Sequence, residues 1–191
     1  MIHAVAVNGS PRPKGNTFLL LSTVMGELEA AGIKTQLIQA GGRNIHGCVA
    51  CGHCRQAKQP ECAFGDDLVN DAVKAIAEAH ILILGSPVYF GNVSAQMKAF
   101  IDRVGYLSRP HRLLAGKLCA AVAAVRRNGA LEAFHTMNNL FTISEGIVVG
   151  SSYWNQGIGS APGDVENDAE GIETMKTLGK NIAELARKIC T

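Results

Sequence analysis

The loop after the first apolar segment carries residue types that bind a phosphate group. It reads Asn8-Gly-Ser-Pro-Arg-Pro-Lys-Gly-Asn-Thr17, and its glycines and prolines favour a tight turn. Arg12 offers a planar fork of N–H donors suited to phosphate oxygens. A helix predicted to begin here directs free backbone N–H groups and its positive dipole end to the same place. The candidate phosphate ligands are Ser10, Arg12, Gly15, Asn16 and Thr17.

Two common nucleotide-binding motifs are absent from this loop. It lacks the Gly-Lys-Ser/Thr of a Walker A motif and the G-x-G-x-x-G of a dinucleotide fingerprint. A monophosphate such as FMN therefore fits the loop better than a dinucleotide. For this loop taken alone, a plain strand-to-helix turn with Asn16 as the N-cap is the alternative.

A second loop, Ser86-Pro-Val-Tyr-Phe-Gly-Asn92, follows the third predicted strand. A flavin ring needs a flat apolar or aromatic surface and backbone groups for its polar edge. Pro87 and Gly91 shape the loop, and Tyr89 and Phe90 supply aromatic area. The alternative is that these two aromatic residues belong to the core or to an interface.

A run of four cysteines is the second strong indication of a cofactor site. Its spacing is Cys48-x2-Cys51-x2-Cys54-x7-Cys62. Two-residue gaps let successive thiolates approach one inorganic core, and four thiolates complete a [4Fe–4S] site. Zinc bound by these cysteines, with or without His46 or His53, is one alternative. A purely structural loop without metal and disulfides formed in air are the others. Cys119, in an apolar strand, is expected to be a buried small hydrophobe, and no role is evident for Cys190.

Strands and helices that alternate along the chain must position these groups. The apolar runs predict strands over 2–7, 33–39, 81–84, 118–125 and 147–150, and the amphipathic stretches predict helices over 17–31, 66–79, 94–107, 130–144 and 168–189. Wholly apolar strands are typical of a parallel sheet covered on both faces. We therefore expect one α/β domain over residues 1–191, doubly wound in three layers, with a Cys-rich insertion at about 41–65. Asp66 and Asp67 are interpreted chiefly as caps of the helix that follows the insertion.

Ligands of such folds bind at the carboxyl ends of the strands. The loop after the fourth strand therefore supplies a third expected flavin contact, formed by Arg127, Asn128 and Gly129.

Composition limits the choice of partners. The net charge of +2 is too small to indicate a nucleic-acid-binding protein. The short basic clusters, Arg126-Arg127 and the residues between Arg103 and Lys117, are interpreted mainly as solvated surface. The alternative is that one of them meets a phosphate of a nucleotide. No run reaches the ~20 apolar residues of a membrane span, and the N-terminus does not resemble a signal peptide. We expect a cytoplasmic protein whose six cysteines are reduced.

Three segments together resemble the NAD(P)H-dependent FMN reductase family, and within it the iron–sulfur flavoproteins. They are the phosphate loop, Gly85-Ser-Pro-Val-Tyr-Phe-Gly91 and Met97-Lys-Ala-Phe-Ile-Asp-Arg103. The resemblance implies a three-layer flavodoxin-like fold with a five-stranded parallel sheet in the order 2-1-3-4-5, bound FMN, one cluster held by all four cysteines, and a homodimer or homotetramer. It also implies flavin contacts at Pro87, Val88, Tyr89, Phe90, Gly91 and Asn92. Family members often carry more glycine where this chain has Arg126-Arg127-Asn128-Gly129.

The expected activity is flavin-mediated electron transfer. A reduced nicotinamide, NADH or NADPH, would stack on the exposed flavin and transfer a hydride to N5, and no side chain is required as an acid or a base. A quinone, a free flavin or another small acceptor would then receive the electrons. An FMN and [4Fe–4S] electron carrier reduced by ferredoxin is the first alternative. The second is a flavin- or metal-binding sensor without turnover.

Overall fold

The strands of the computed structural model, which describes residues 1–190, form a single parallel sheet. The sheet order is β2-β1-β3-β4-β5, with β6 also paired to β4, so the predicted flavodoxin-like order is confirmed. The strands are β1 His3–Asn8, β2 Lys34–Gln39, β3 Ile81–Pro87, β4 Leu118–Val125, β5 Ile147–Val148 and β6 Gln156–Ile158.

The fifth position of the sheet is divided between two short strands, where the sequence predicts one strand over 147–150. β5 pairs with Leu118 and Cys119 near the start of β4. β6 pairs with the end of β4, from Ala123 to Val125. The intervening chain leaves the sheet as a loop in which Tyr153 and Trp154 are both exposed, their ring centroids 4.8 Å apart.

Helices cover both faces of the sheet. They are α1 Asn16–Ala30, α2 His53–Gln56, α3 Val69–Glu78, α4 Ala95–His111, α5 Ala130–Ile143 and α6 Ala169–Ile189, with a 3₁₀ turn at Asp164–Asn167 before α6. No helix within residues 1–190 has both the length and the apolar character that crossing a membrane requires.

Alternate residues of the central strands enter two separate cores. Val5 and Leu82 pack with residues of α3, α4 and α5, whereas Ala6 and Ile83 pack with α1 and α6 on the opposite face. This alternation follows from the two-residue period of a strand. Because both faces are covered, β3 and β4 are buried almost throughout, and the loops at their carboxyl ends are held in fixed positions.

Candidate cofactor site

The loop between β1 and α1 is folded by its own polar groups. The Ser10 N–H donates to Asn8 Oδ1 at 3.0 Å, and the Arg12 N–H donates to Ser10 Oγ at 3.2 Å. Gly15, in an extended conformation, is the N-cap of α1. The first backbone N–H groups of α1 have no partner within the helix, and the loop leads directly into them.

Neighbouring strands hold the same loop from behind. Asn8 Nδ2 donates to Gln39 Oε1 at 2.9 Å, and Gln39 Nε2 donates to the Ser10 carbonyl at 2.7 Å. From α4, the buried Ser94 hydroxyl donates to the Gly9 carbonyl at 2.7 Å. Bonds to β2 and α4 therefore support the shape of this loop.

Thr17 and Asn16 differ in the availability of their side chains. Thr17 is 1 % exposed, and its Oγ1 has no hydrogen-bond partner. A buried hydroxyl in this condition is uncommon, since burial without a partner is costly. Asn16 is occupied: its Nδ2 donates to the Ala161 carbonyl at 3.0 Å, and its Oδ1 accepts from the Gly163 N–H at 2.9 Å. For a phosphate, Asn16 therefore has its backbone N–H and the second N–H of its Nδ2 group left.

The loop after β3 makes a two-residue reversal. Tyr89 and Asn92 exchange two backbone hydrogen bonds of 2.8 and 3.0 Å, and Phe90 and Gly91 between them have φ of 48° and 77°. Positive φ at both central residues is the pattern of a type I′ turn, which is uncommon for a residue such as Phe. The Phe90 side chain stands fully exposed at the tip.

The loop after β4 packs directly against this turn. Gly129 has φ of 91°, and a Cβ atom placed on it would lie 2.9 Å from Gly91 Cα. Arg127 and Asn128 are exposed.

A crevice of about 110 Å³ joins these loops. Of the residues predicted to bind FMN, it brings together Ser10, Arg12, Asn16, Thr17, Pro87, Val88 and Tyr89. Its other lining residues are Ala124, Arg126, Gly159 and Ser160. The sequence did not indicate Ala124, Gly159 or Ser160, and it offered Arg126 only as the less favoured alternative to solvated surface. In the loop after β4, Arg126 therefore lines the crevice in place of the predicted residues. The predicted FMN contacts that lie outside its lining are Gly15, Phe90, Gly91, Asn92, Arg127, Asn128 and Gly129. The Gly-rich sequence after β6 was the available signal for Gly159 and Ser160.

The four clustered cysteines line one separate pocket. Cys48, Cys51, Cys54 and Cys62 surround it together with Arg103 and several apolar side chains, and all four are free thiols. Among residues 1–190, no three His, Cys, Asp or Glu side chains are grouped closely enough to hold a single metal ion.

Two helices anchor this pocket. The Asn70 side chain, from α3, accepts from the Cys62 N–H at 2.8 Å and donates to the Cys62 carbonyl at 3.0 Å. From α4, the Tyr106 carbonyl accepts from Cys54 Sγ at 3.7 Å, and His111 Nε2 lies 2.9 Å from the Cys54 carbonyl. Burial, together with the neighbouring cysteines, raises the pKa of the Cys54 thiol.

Arg103 forms a buried ion pair, so its interpretation as solvated surface is wrong. Its side chain is 1 % exposed and bonds to Asp67, and it also donates to the carbonyls of His46 and Phe64 at 3.3 and 3.0 Å. Asp67 does accept from the Val69 N–H at the start of α3, at 3.0 Å, but Arg103 is its main partner. Burial alone would raise the pKa of Asp67; Arg103 and two backbone amides outweigh burial and lower it.

Comparison with known proteins identifies the family. Residues 2–160 match the model of the family described as NADPH-dependent FMN reductase. The chain belongs to this family. An iron–sulfur flavoprotein of Methanocaldococcus jannaschii is 40% identical over 195 residues, covering 97% of each chain. Another, from Archaeoglobus fulgidus, is 35% identical over 183 residues, covering 95% of this chain and 79% of the relative.

A solved structure supports the same fold. RosB, crystallised with bound 8-demethyl-8-formylriboflavin-5'-phosphate, superposes with a TM-score of 0.76 at 16% identity, covering 100% of this chain and 81% of RosB. Membership of the FMN reductase family supports an FMN-binding oxidoreductase, and the iron–sulfur flavoproteins are its relatives over nearly the whole length.

Proposed function

We propose that this protein is an FMN oxidoreductase that takes electrons from NADH or NADPH and passes them through FMN to a quinone, a flavin or another small acceptor. The observation that carries the proposal is the buried, unpartnered hydroxyl of Thr17, which lies in a crevice with Ser10 and Arg12 at the N-terminus of α1. A hydroxyl, a guanidinium and free helix N–H groups together favour a phosphate monoester.

The residues of the crevice fit the phosphate end of FMN. Ser10, Arg12, Thr17 and the backbone N–H of Asn16 would hold the phosphate, and Arg126 adds a second cation at the same crevice. The volume of about 110 Å³ is small beside the roughly 300–1,000 Å³ of most ligand pockets. The ring would therefore lie on the open surface next to Tyr89, where a nicotinamide has access.

Bound FMN would supply the hydride chemistry, so the chain has mainly to bind and orient it. No carboxylate or imidazole is found among the described residues that line the crevice. This supports a mechanism in which no side chain of the crevice transfers a proton. The loop bonds from Gln39 and Ser94 keep the donors in place before FMN arrives, which limits the ordering cost of binding.

We propose a [4Fe–4S] cluster as a second cofactor, held by Cys48, Cys51, Cys54 and Cys62. Four free thiols with partly apolar surroundings are the ligand set that such a cluster takes. All four thiols line one common pocket, as the ligands of a single cluster must. When bound, the cluster would store and relay single electrons.

The test is anaerobic reduction of FMN-loaded protein. NADH or NADPH should bleach the flavin absorbance, and an added quinone should restore it. If neither nucleotide bleaches the flavin, the reductase proposal is wrong. Bleaching by reduced ferredoxin alone, with iron and sulfide present, would then support an electron carrier, and bound FMN with no turnover of any donor would support a sensor.

We also propose that the protein self-associates and works in a reducing compartment, the cytoplasm. The six free thiols support a reducing compartment.

A groove of about 910 Å³ between α4 and α5 supports the self-association, since Ile143 at its edge is 62 % exposed. Sedimentation should show a dimer or tetramer for the wild type and a smaller species for Ile143→Asp; an unchanged mass would exclude this groove as the interface.

A further inference from the structure

Arg103 is an unusual component of the cysteine pocket. Fully buried arginines are rare unless they are paired, and this one is paired with Asp67. Nη1 also donates to the His46 carbonyl and Nη2 to the Phe64 carbonyl. The Nε–H is buried and has no hydrogen-bond partner in the protein.

The cysteine pocket brings Arg103 and one of the four cysteines into the same wall. Arg103 lines the pocket together with Cys62. Burial opposes the charge on Arg103, but its interactions with Asp67 and with the Cys62 thiol outweigh burial and raise the pKa of the guanidinium. Asn70 independently fixes the backbone of Cys62 through two hydrogen bonds. A permanent positive charge is thus held in the wall of the pocket that Cys62 also lines, where the backbone of Cys62 is fixed.

Such a charge has a direct effect on a thiolate-bound cluster. The reduction potential of an iron–sulfur site depends on its net charge and on hydrogen bonds to its sulfurs. When a low-potential donor, such as reduced flavin or dithionite, delivers one electron, the negative charge at the site grows by one unit. A nearby buried cation stabilises this added charge, and salt screens it little because it is buried.

We propose that the buried charge of Arg103 raises the reduction potential of the cluster, and that Asp67 limits this effect by partly cancelling that charge. The role rests on the cluster suggested in the proposed function. If the proposal is right, removing the charge of Arg103 and removing the charge of Asp67, each in its own variant, shift the reduction potential of the cluster in opposite directions. An ion pair with a purely structural role would not produce these opposite shifts.

The experiment compares wild type, Arg103→Gln, Arg103→Lys, Asp67→Asn and Arg109→Gln, purified anaerobically with FMN and reconstituted with iron and sulfide. Arg109 lies on the same helix, is exposed and is not part of the cysteine pocket lining, so its replacement removes the same charge as a matched control. Iron and sulfide per chain are measured first. A potentiometric titration followed by electron paramagnetic resonance then gives the ratio of reduced to oxidised cluster.

At a fixed ambient potential, Arg103→Gln should lower that ratio about tenfold, which is about 59 mV for one electron. Asp67→Asn should raise it, Arg103→Lys should stay closer to wild type, and Arg109→Gln should match wild type. If Arg103→Gln fails to fold or to retain iron, the titrations of Asp67→Asn and Arg103→Lys test the role of Arg103 instead. An Asp67→Asn midpoint that is not raised above the wild-type value would then overturn it.

Equal midpoints for every variant that retains its iron would overturn the role of Arg103 and leave the cluster intact. Shifts in the same direction for Arg103→Gln and Asp67→Asn would also overturn it, since they would indicate a general loosening of the pocket. Wild-type protein that holds no iron or sulfide would overturn the cluster proposal itself, and the role of Arg103 with it.

Discussion

The Thr17 hydroxyl offers a test of the phosphate site at the level of one atom. This hydroxyl has no partner among the groups of the protein, so Thr17→Val removes no hydrogen bond within the chain and should leave the free energy of unfolding unchanged or slightly higher. With FMN bound it should lose a bond to a charged oxygen, which is worth about 1.5–3 kcal/mol. We therefore expect the Kd for FMN to rise at least about tenfold, measured by flavin fluorescence, while urea unfolding of the apoprotein is unimpaired.

Thr23 supplies the control for this substitution. It lies on the same helix, and its hydroxyl already donates to the Leu19 carbonyl at 3.0 Å. Thr23→Val should leave the Kd for FMN unchanged, and Thr17→Ser should keep most of the affinity. An unaltered Kd for Thr17→Val would show that the hydroxyl does not bind the phosphate.

Two adjacent arginines give a second test at the residue scale. Arg126 lines the crevice, whereas Arg127, the residue expected from the sequence, is exposed outside it. Arg126→Gln should weaken FMN binding by about tenfold through the loss of a charge-assisted contact, and Arg127→Gln should change the Kd little. The reverse result, from titrations at one salt concentration, would favour the position predicted from the sequence.

At the scale of elements, the close approach of two loops makes a prediction about Gly129. A Cβ atom there would collide with the backbone of Gly91, and φ is also positive. Gly129→Ala should therefore destabilise the fold by about 2–5 kcal/mol, the sum of left-handed strain and overpacking, and should weaken FMN binding by displacing the turn beside Tyr89. Thermal unfolding and flavin titration measure the two effects.

Gly116 is a control position that separates the cost of backbone strain from the cost of the steric collision. It also has positive φ, of 74°, but a Cβ atom there would meet no neighbour within 4 Å. Gly116→Ala should cost only the backbone strain and leave FMN binding unchanged. Equal losses of stability for the two alanine variants would mean that the contact between the loops contributes nothing.

The long strands can be predicted from the sequence, whereas the short strands and the burial of Arg103 cannot. Apolar runs such as that of β4 identify buried strands, because a parallel sheet covered on both faces excludes polar residues. The fifth position escaped prediction because β5 and β6 have only two and three residues, too few to show a period. The burial of Arg103 escaped it because the partner, Asp67, is 36 residues away, and an arginine on a helix carries no local sign of its distant partner.

At the scale of the whole molecule, His80 links stability to pH. It lies just before β3, and its Nδ1 accepts from the His3 N–H at 3.3 Å, which ties the starts of two central strands together. Burial, followed by the charges of Lys117, His3 and the N-terminus, lowers the pKa of His80. Folding therefore favours the neutral ring, and a protonated ring would also lose its acceptor at Nδ1.

The direction of the pH effect follows from proton binding. Between the lowered folded pKa and the unfolded value of about 6.5, the unfolded chain binds more protons, by at most about one from this residue, so stability rises with pH over this interval. The contribution of His80 is complete above about pH 6.5 and is lost as the pH falls through the folded pKa. In urea unfolding from pH 7.5 to 5, His80→Asn should lose less stability than wild type. His135→Asn, at an exposed position on α5, should follow the wild-type curve, and identical slopes for all three proteins would rule out His80 as the group responsible.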